Sequence, residues 1–163
     1  MDLTEDGLYT LTPGTLKILN SLSKPIRLTL FFSSHSTRDL PKLRSYQQRV
    51  HEMLREMAAR SHGRIHLDVV DPVPYSDDED RAFGYGLSAM PGGSNGERVF
   101  FGLAGSNADG TQLSIPFFDP AKEELQDSDM AQLLYELNAP HKPRVGIIST
   151  FPLDGDLIAG NQP

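Results

Sequence analysis

Apolar side chains recur at every second position in two stretches of the chain. Ile26, Leu28, Leu30 and Phe32 interleave with Arg27, Thr29 and Phe31, and Ile65, Leu67 and Val69 interleave with Arg64, His66 and Asp68. A period of two predicts a strand in each place. Asp71-Pro72 ends the second. Between them the period changes. Leu43, Tyr46, Val50, Met53 and Met57 follow one another at steps of 3, 4, 3 and 4, which places one apolar stripe along a helix. That helix opens at Asp39-Leu40-Pro41 and runs to about Arg60, and Gly63 then supplies a residue free to take the left-handed conformation. Residues 33–37 are polar and read as a loop.

The rest of the chain divides by the same signals. Thr12 as N-cap with Pro13 behind it starts a first helix carrying Leu16, Leu19 and Leu22, which Lys24-Pro25 stops. Asp77-Asp78-Glu79-Asp80 suits the positive end of a short helix reaching about Tyr85. Residues 86–96, rich in Gly, Ser and Pro, read as loop. Residues 99–103 and 112–118 are predicted strands, with Asp109-Gly110 between them as a hairpin turn signal. Asp127 or Ser128 caps a last helix with Met130, Leu133, Leu134 and Leu137 on one face. A break at residues 141–143 precedes a short apolar strand at 144–150, and 151–163 suggest no element.

From residue 26 to 137 the order is β-α-β-α-β-β-α, the order of the thioredoxin fold. The expectation is an α/β domain with a mixed central sheet whose first two strands run parallel through a right-handed crossover. Residues 1–25 form a lead-in helix, 26–140 the thioredoxin-like domain, and 141–163 a linker with the first strand of a following domain. An unpartnered strand at 144–150 would either pair with a sheet edge or join two copies of the chain.

Composition narrows the function. The chain has 163 residues, which suits about one domain. Its net charge is −7, spread unevenly: residues 1–70 carry +3 and residues 71–163 carry −10. Without a concentrated Lys/Arg stripe it is a poor match for a phosphate backbone, so no nucleic-acid partner is expected. No apolar run reaches the roughly 18 residues of a membrane span, and the first residues do not have the make-up of a signal peptide. Cysteine is absent. Thioredoxin-like oxidoreductases place a low-pKa thiolate at the start of the helix after the first strand. Here that loop is Ser33-Ser34-His35-Ser36-Thr37-Arg38, so thiol–disulfide exchange has no thiol to use.

Ser33 or Ser34 with His35 would be the parts of a hydrolase, but no G-x-S-x-G elbow surrounds them. Gly84-Tyr85-Gly86-Leu87-Ser88-Ala89 matches G-x-G-x-x-A by letter, yet it follows an acidic helical stretch and runs toward Pro91 instead of opening a helix. His62 and His66 stand four apart with Gly63 between them, and Asp77 to Asp80 does not have the spacing of a calcium loop. Met53, Met57 and Met90 could serve a soft binding surface, against which stands core packing. Tyr75, Phe83, Tyr85, Phe100, Phe101, Phe117 and Phe118 give the second half the aromatic content of a small-molecule or glycan site, against which stands burial of Phe100 and Phe118 in the core. No catalytic, cofactor-binding or metal residue is expected.

An ordered set of segments resembles the N-terminal part of the auxiliary components of gliding-motility-type ABC transporters. They are Asp6-Gly7-Leu8-Tyr9-Thr10-Leu11-Thr12; the stretch 26–32; Tyr46 through Arg60-Ser61-His62-Gly63-Arg64; Asp68-Val69-Val70-Asp71-Pro72; Ala82-Phe83-Gly84-Tyr85-Gly86; Phe101-Gly102-Leu103; Ile115-Pro116-Phe117-Phe118; and Lys142-Pro143-Arg144-Val145-Gly146. One departure is Gln126-Asp127 after Leu125, where the family carries an acidic–aromatic pair. The resemblance implies a periplasmic, extracytoplasmic module of an inner-membrane protein, anchored by flanking helices, with the strand at 144–150 beginning a second α/β domain. It implies a non-catalytic scaffold or interaction role, with the transporter's permease and ATPase subunits or another extracytoplasmic protein as partners and no cofactor. A binding module of a transport system is the alternative, and a homodimer through 144–150 is a further expectation.

Overall fold

In a computed structural model of the chain, residues 10–119, 121, 126–139 and 145–147 are described. Helix α1 (Pro13–Ser21) starts at Thr12, whose hydroxyl accepts from the Thr15 N–H at 3.4 Å. Strands β1 (Ile26–Phe32) and β2 (Ile65–Val70) flank helix α2 (Pro41–Ala59). After α2 the backbone turns through His62 (φ 58) and Gly63 (φ 83), and the Ser61 hydroxyl accepts the Ile65 N–H at 3.0 Å. Helix α3 (Asp77–Gly84) is capped by Ser76, which accepts from the Glu79 N–H at 3.2 Å. Strands β3 (Ala89–Met90), β4 (Val99–Asn107) and β5 (Gln112–Ile115), helix α4 (Asp127–Asn138) and strand β6 (Val145–Ile147) follow.

The sheet runs β2-β1-β4-β5-β6, and β3 pairs with the start of β4. β1 and β2 are parallel, β4 is antiparallel to both β1 and β5, and β5 and β6 are parallel. The chain is thus an α/β protein with a mixed sheet.

The two faces of the sheet carry unequal cores. Leu28, Leu30, Phe32, Phe101, Leu103, Leu113 and Ile115 meet Leu19 of α1, Val50, Met53, Leu54 and Met57 of α2, and Met130, Leu133, Leu134 and Leu137 of α4. On the other side a smaller cluster joins Phe31 and Phe100 to Ala82 of α3, with Leu87 and Ala104. β1 is therefore covered on both faces, which is why Phe31 breaks the alternation of apolar and polar residues along it. Leu19 and Leu22 of the lead-in segment share the larger core with the sheet.

Several boundaries differ from the sequence expectation. β4 continues past Leu103 to Asn107, since Ala104 to Asn107 pair with Thr29 back to Ile26. Gly105 looks like a loop residue in the sequence, but a Cβ there would come within 2.9 Å of Leu137 and 3.1 Å of Leu28; the strand uses glycine so that α4 can lie close. β5 stops at Ile115 and does not reach Phe118, because Pro116 has no N–H to continue the ladder. The stretch 86–96 holds β3 and a single 3₁₀ turn at Ser94–Gly96. The polar loop 33–37 holds a 3₁₀ turn, His35–Thr37, in which Ser36 and Thr37 are buried and His35 is exposed; Ser33 before it is buried too. Helix α4 is capped one residue earlier than expected, by Gln126, whose N–H donates to the Asp129 carboxylate at 2.9 Å. Asp127 is buried and accepts the Thr12 N–H at 2.7 Å and its hydroxyl at 3.1 Å, fastening the start of α1 to the start of α4.

The other end of α4 is fastened too. Asn107 accepts the N–H groups of Asp109 and Thr111, at 2.9 and 3.1 Å, and donates to the Leu137 carbonyl at 2.7 Å. Asn138 accepts the Ser23 N–H at 2.9 Å, and Lys24 reaches Asp109 at 2.6 Å. Gly110 takes φ 95 in the turn signalled by Asp109-Gly110. Of the predicted strand 144–150, residues 145–147 pair with β5, the sheet-edge alternative named above; the residues around them lie outside those described.

Candidate functional site

Strands β1 and β2 end side by side, and the chain leaves both ends into turns that meet. Ser33 follows β1. Its N–H donates to the Phe100 carbonyl at 3.0 Å and its hydroxyl accepts the Phe100 N–H at 2.8 Å, so the turn is stitched to the start of β4. The Thr37 hydroxyl donates back to the Ser33 carbonyl at 2.8 Å. The Ser36 hydroxyl donates to Glu97 at 2.6 Å, and the Asp39 N–H donates to the Ser94 hydroxyl at 3.3 Å. From the β2 side, Asp71 accepts the His35 N–H at 3.0 Å. From the first turns of α2, Arg44 donates to the Ser34 carbonyl at 3.0 Å.

Beside this junction lies a cleft of about 270 Å³ lined by Phe32, Ser34, Arg44, Gln47, Gln48, Val69, Val70 and Asp71. It sits at the C-terminal ends of parallel strands, where α/β proteins tend to bind their ligands. Apart from the Phe32 ring and the two valines, its lining is polar: one guanidinium, two amides, one hydroxyl and one carboxylate. The second Asp71 oxygen, Oδ1, is shut from solvent with no hydrogen-bond partner. Burial pushes the Asp71 carboxyl above the usual aspartate range, against the His35 and Ser34 N–H groups and the positive charge of Arg44, which pull it down. The cleft can offer hydrogen bonds and one positive charge to a polar group.

The serine–histidine reading fares differently at each residue. Ser33 is buried, and its oxygen is already engaged by the Phe100 N–H. Ser34 lines the cleft, and His35 is exposed and joined to Asp71 through its backbone. Gly84 to Ala89 runs from the end of α3 into β3 through Gly86 (φ 88), so it neither follows a strand nor opens a helix. His62 contacts Asn20 at 2.9 Å while His66 lies 3.3 Å from Asp68, and no group of three or more His, Asp or Glu fit to hold a metal occurs among the described residues. In the acidic run, Glu79 is buried, accepting the Tyr75 N–H at 2.9 Å and Arg98 at 3.3 Å, while Asp78 pairs with Arg81 at 3.0 Å.

Met53 and Met57 are core residues and Met90 is 38% exposed. The aromatic set is dispersed. Phe100, Phe101 and Phe118 are buried, Phe83 stacks edge-on against Phe100, and Tyr75 stands out 93% exposed at φ 65. None of the seven lines the cleft. In the sequence Asp71 reads only as a strand terminator, and Arg44 lies off the apolar stripe of α2. The available signal was an aspartate directly after a predicted parallel strand, at the end where ligand sites collect.

No helix among the described residues is long and apolar enough to cross a membrane. No curated protein matches the chain. A family model described as a domain of unknown function, DUF7088, matches residues 5–106, spanning α1 through nearly all of β4 and so including the cleft. Because that match covers more than half of the sequence, the chain belongs to the DUF7088 family.

Proposed function

We propose that the chain is a thioredoxin-like interaction domain that works without catalysis, as the extracytoplasmic module of an ABC transporter auxiliary component. Three things support the reading. The strand order β2-β1-β4-β5, with β4 alone reversed, agrees with the thioredoxin-like order β-α-β-α-β-β-α when β3 is set aside as a two-residue addition. The sequence segments quoted above resemble that transporter family in order and spacing. The observation that carries the reading is the turn after β1. A redox enzyme of this shape would present a thiol there, and this chain has no cysteine. Ser33, Ser36 and Thr37 are buried and spend their hydroxyls on Phe100 of β4, on the Glu97 carboxylate and on the turn's own Ser33 carbonyl. Those side chains keep a shape.

The partners are the transporter's permease and ATPase subunits, met from an inner-membrane anchorage outside residues 10–147. Affinity purification of the full-length protein from detergent-solubilised membranes tests this. Permease and ATPase subunits are expected to co-elute in comparable amounts. Elution of the protein without either subunit, under conditions that keep the transporter intact, contradicts the proposal.

A further inference from the structure

Among the described residues β2 lies at one end of the sheet order and pairs with β1 on one side. The Ile26 N–H donates to the Arg64 carbonyl at 2.8 Å, and the parallel register then turns the backbone groups of His66 and Asp68 toward β1. Those of Ile65, Leu67 and Val69 turn the other way. The Ile65 N–H is taken by the Ser61 hydroxyl, which leaves the outward groups of Leu67 and Val69 and the Ile65 carbonyl along an edge. Side chains alternate across this edge. The His66 and Asp68 side chains are 65% and 43% exposed on one face, and Val69 is 46% exposed on the other.

The strand complements itself when reversed. With a two-fold axis at Leu67, Leu67 faces its own copy, Ile65 faces Val69 and His66 faces Asp68. The outward-turned residues then form the hydrogen-bonded pairs, except for the Ile65 N–H, which Ser61 holds. His66 and Asp68 fall in the closer, non-hydrogen-bonded pairs, where side chains interact most. Centring the axis on Asp68 sets carboxylate against carboxylate. Centring it on His66 sets imidazole against imidazole, although Arg64 then meets Asp68. The Leu67 register avoids both like-like meetings and matches apolar residues on the opposite face. Within one copy Arg27 and His66 already lean on Asp68, at 2.9 and 3.3 Å, which holds that carboxylate on the face where the second copy's His66 would arrive.

We propose that β2 is a homotypic docking edge, at which a second copy of this chain adds its own β2 antiparallel about Leu67 and continues the sheet. The edge differs from the 144–150 strand, whose residues 145–147 pair with β5. Its failure would leave the transporter reading standing. Because the chain has no cysteine, single cysteines introduced at residues 64–70 report the register directly. Under mild oxidation, Leu67→Cys is expected to give a disulfide-linked dimer, while His66→Cys and Asp68→Cys alone do not. Independently, sedimentation should show a dimer that Val69→Pro weakens by about tenfold or more, since the ring occupies an outward N–H while the β1 ladder keeps its bonds. Asp68→Lys should weaken it comparably, and the exchange His66→Asp with Asp68→His should restore it. A monomeric chain at high concentration, cross-linking that peaks at residue 66 or 68, or a dimer indifferent to Val69→Pro would overturn the proposal.

Discussion

Asp71 shows how one side chain can hold a site in shape at an electrostatic cost. It accepts the His35 N–H with one oxygen, and its other oxygen is buried without a partner. Burial raises its carboxyl above the usual aspartate range. A carboxyl with a raised folded-state pKa binds its proton more readily in the folded chain than in the unfolded one. It therefore contributes stability as pH falls through that raised value toward the ordinary aspartate value, and withdraws it as pH rises. Asp71→Asn keeps an acceptor for His35 and removes the charge. Relative to the variant, the natural chain is expected to gain stability as pH is lowered from neutral through that window, read as the difference between two urea midpoints at each pH. A difference that stays constant with pH, or moves the other way, would show that burial does not govern this carboxyl. Asp71 was legible in the sequence only as the end of a strand, since its role depends on His35 arriving from another turn. Asp127 is a similar case: it looks like a helix cap, yet its carboxylate serves Thr12, far away in sequence.

The elements themselves were largely legible. β1 and β2 carry their period of two, α2 its stripe, and α4 its buried Met130, Leu133, Leu134 and Leu137. The misreadings came where close approach overrides local preference. β4 runs on past Leu103 through Gly105, which weakens any strand prediction, because Leu137 and Leu28 occupy the space where its side chain would stand; Gly102, inside the predicted stretch 99–103, is packed as closely. A Cβ on Gly102 would lie 2.7 Å from the Ile115 carbonyl oxygen and 2.8 Å from that of Pro116. Both are backbone atoms, so relief requires β5 to shift. Gly102→Ala is expected to cost about 2–3 kcal/mol in urea unfolding, with the denaturant slope unchanged. A loss below about 0.5 kcal/mol, the ordinary range for surface changes, would mean the strands can part there without penalty. The two-residue β3 was hidden for a different reason: two paired residues inside a Gly- and Pro-rich stretch carry no period to detect.

At the scale of the whole molecule, the layers explain why contact is the role proposed. The turn at the end of β1 is rigidly tied to β2, β4 and α2, and its buried hydroxyls serve that frame. What the protein presents outward is surface: the polar cleft beside Arg44 and Asp71, and exposed apolar residues such as Tyr75, Phe83 and Met90. The cleft could not be foreseen as a unit, because its lining comes from β1, its following turn, α2 and the end of β2. Within the acidic second half of the sequence, Glu79 and Asp78 are held by Arg98 and Arg81. The reading as a transporter module is tested most directly by photo-crosslinking in living cells. A photoreactive residue is placed singly at Arg44, Tyr75, Phe83 and Met90 of the full-length protein, and the adducts are identified by mass spectrometry. The account predicts that at least one position links to the permease of an ABC transporter; adducts to the permease at none of the four positions, with the protein present at its natural level, would contradict it.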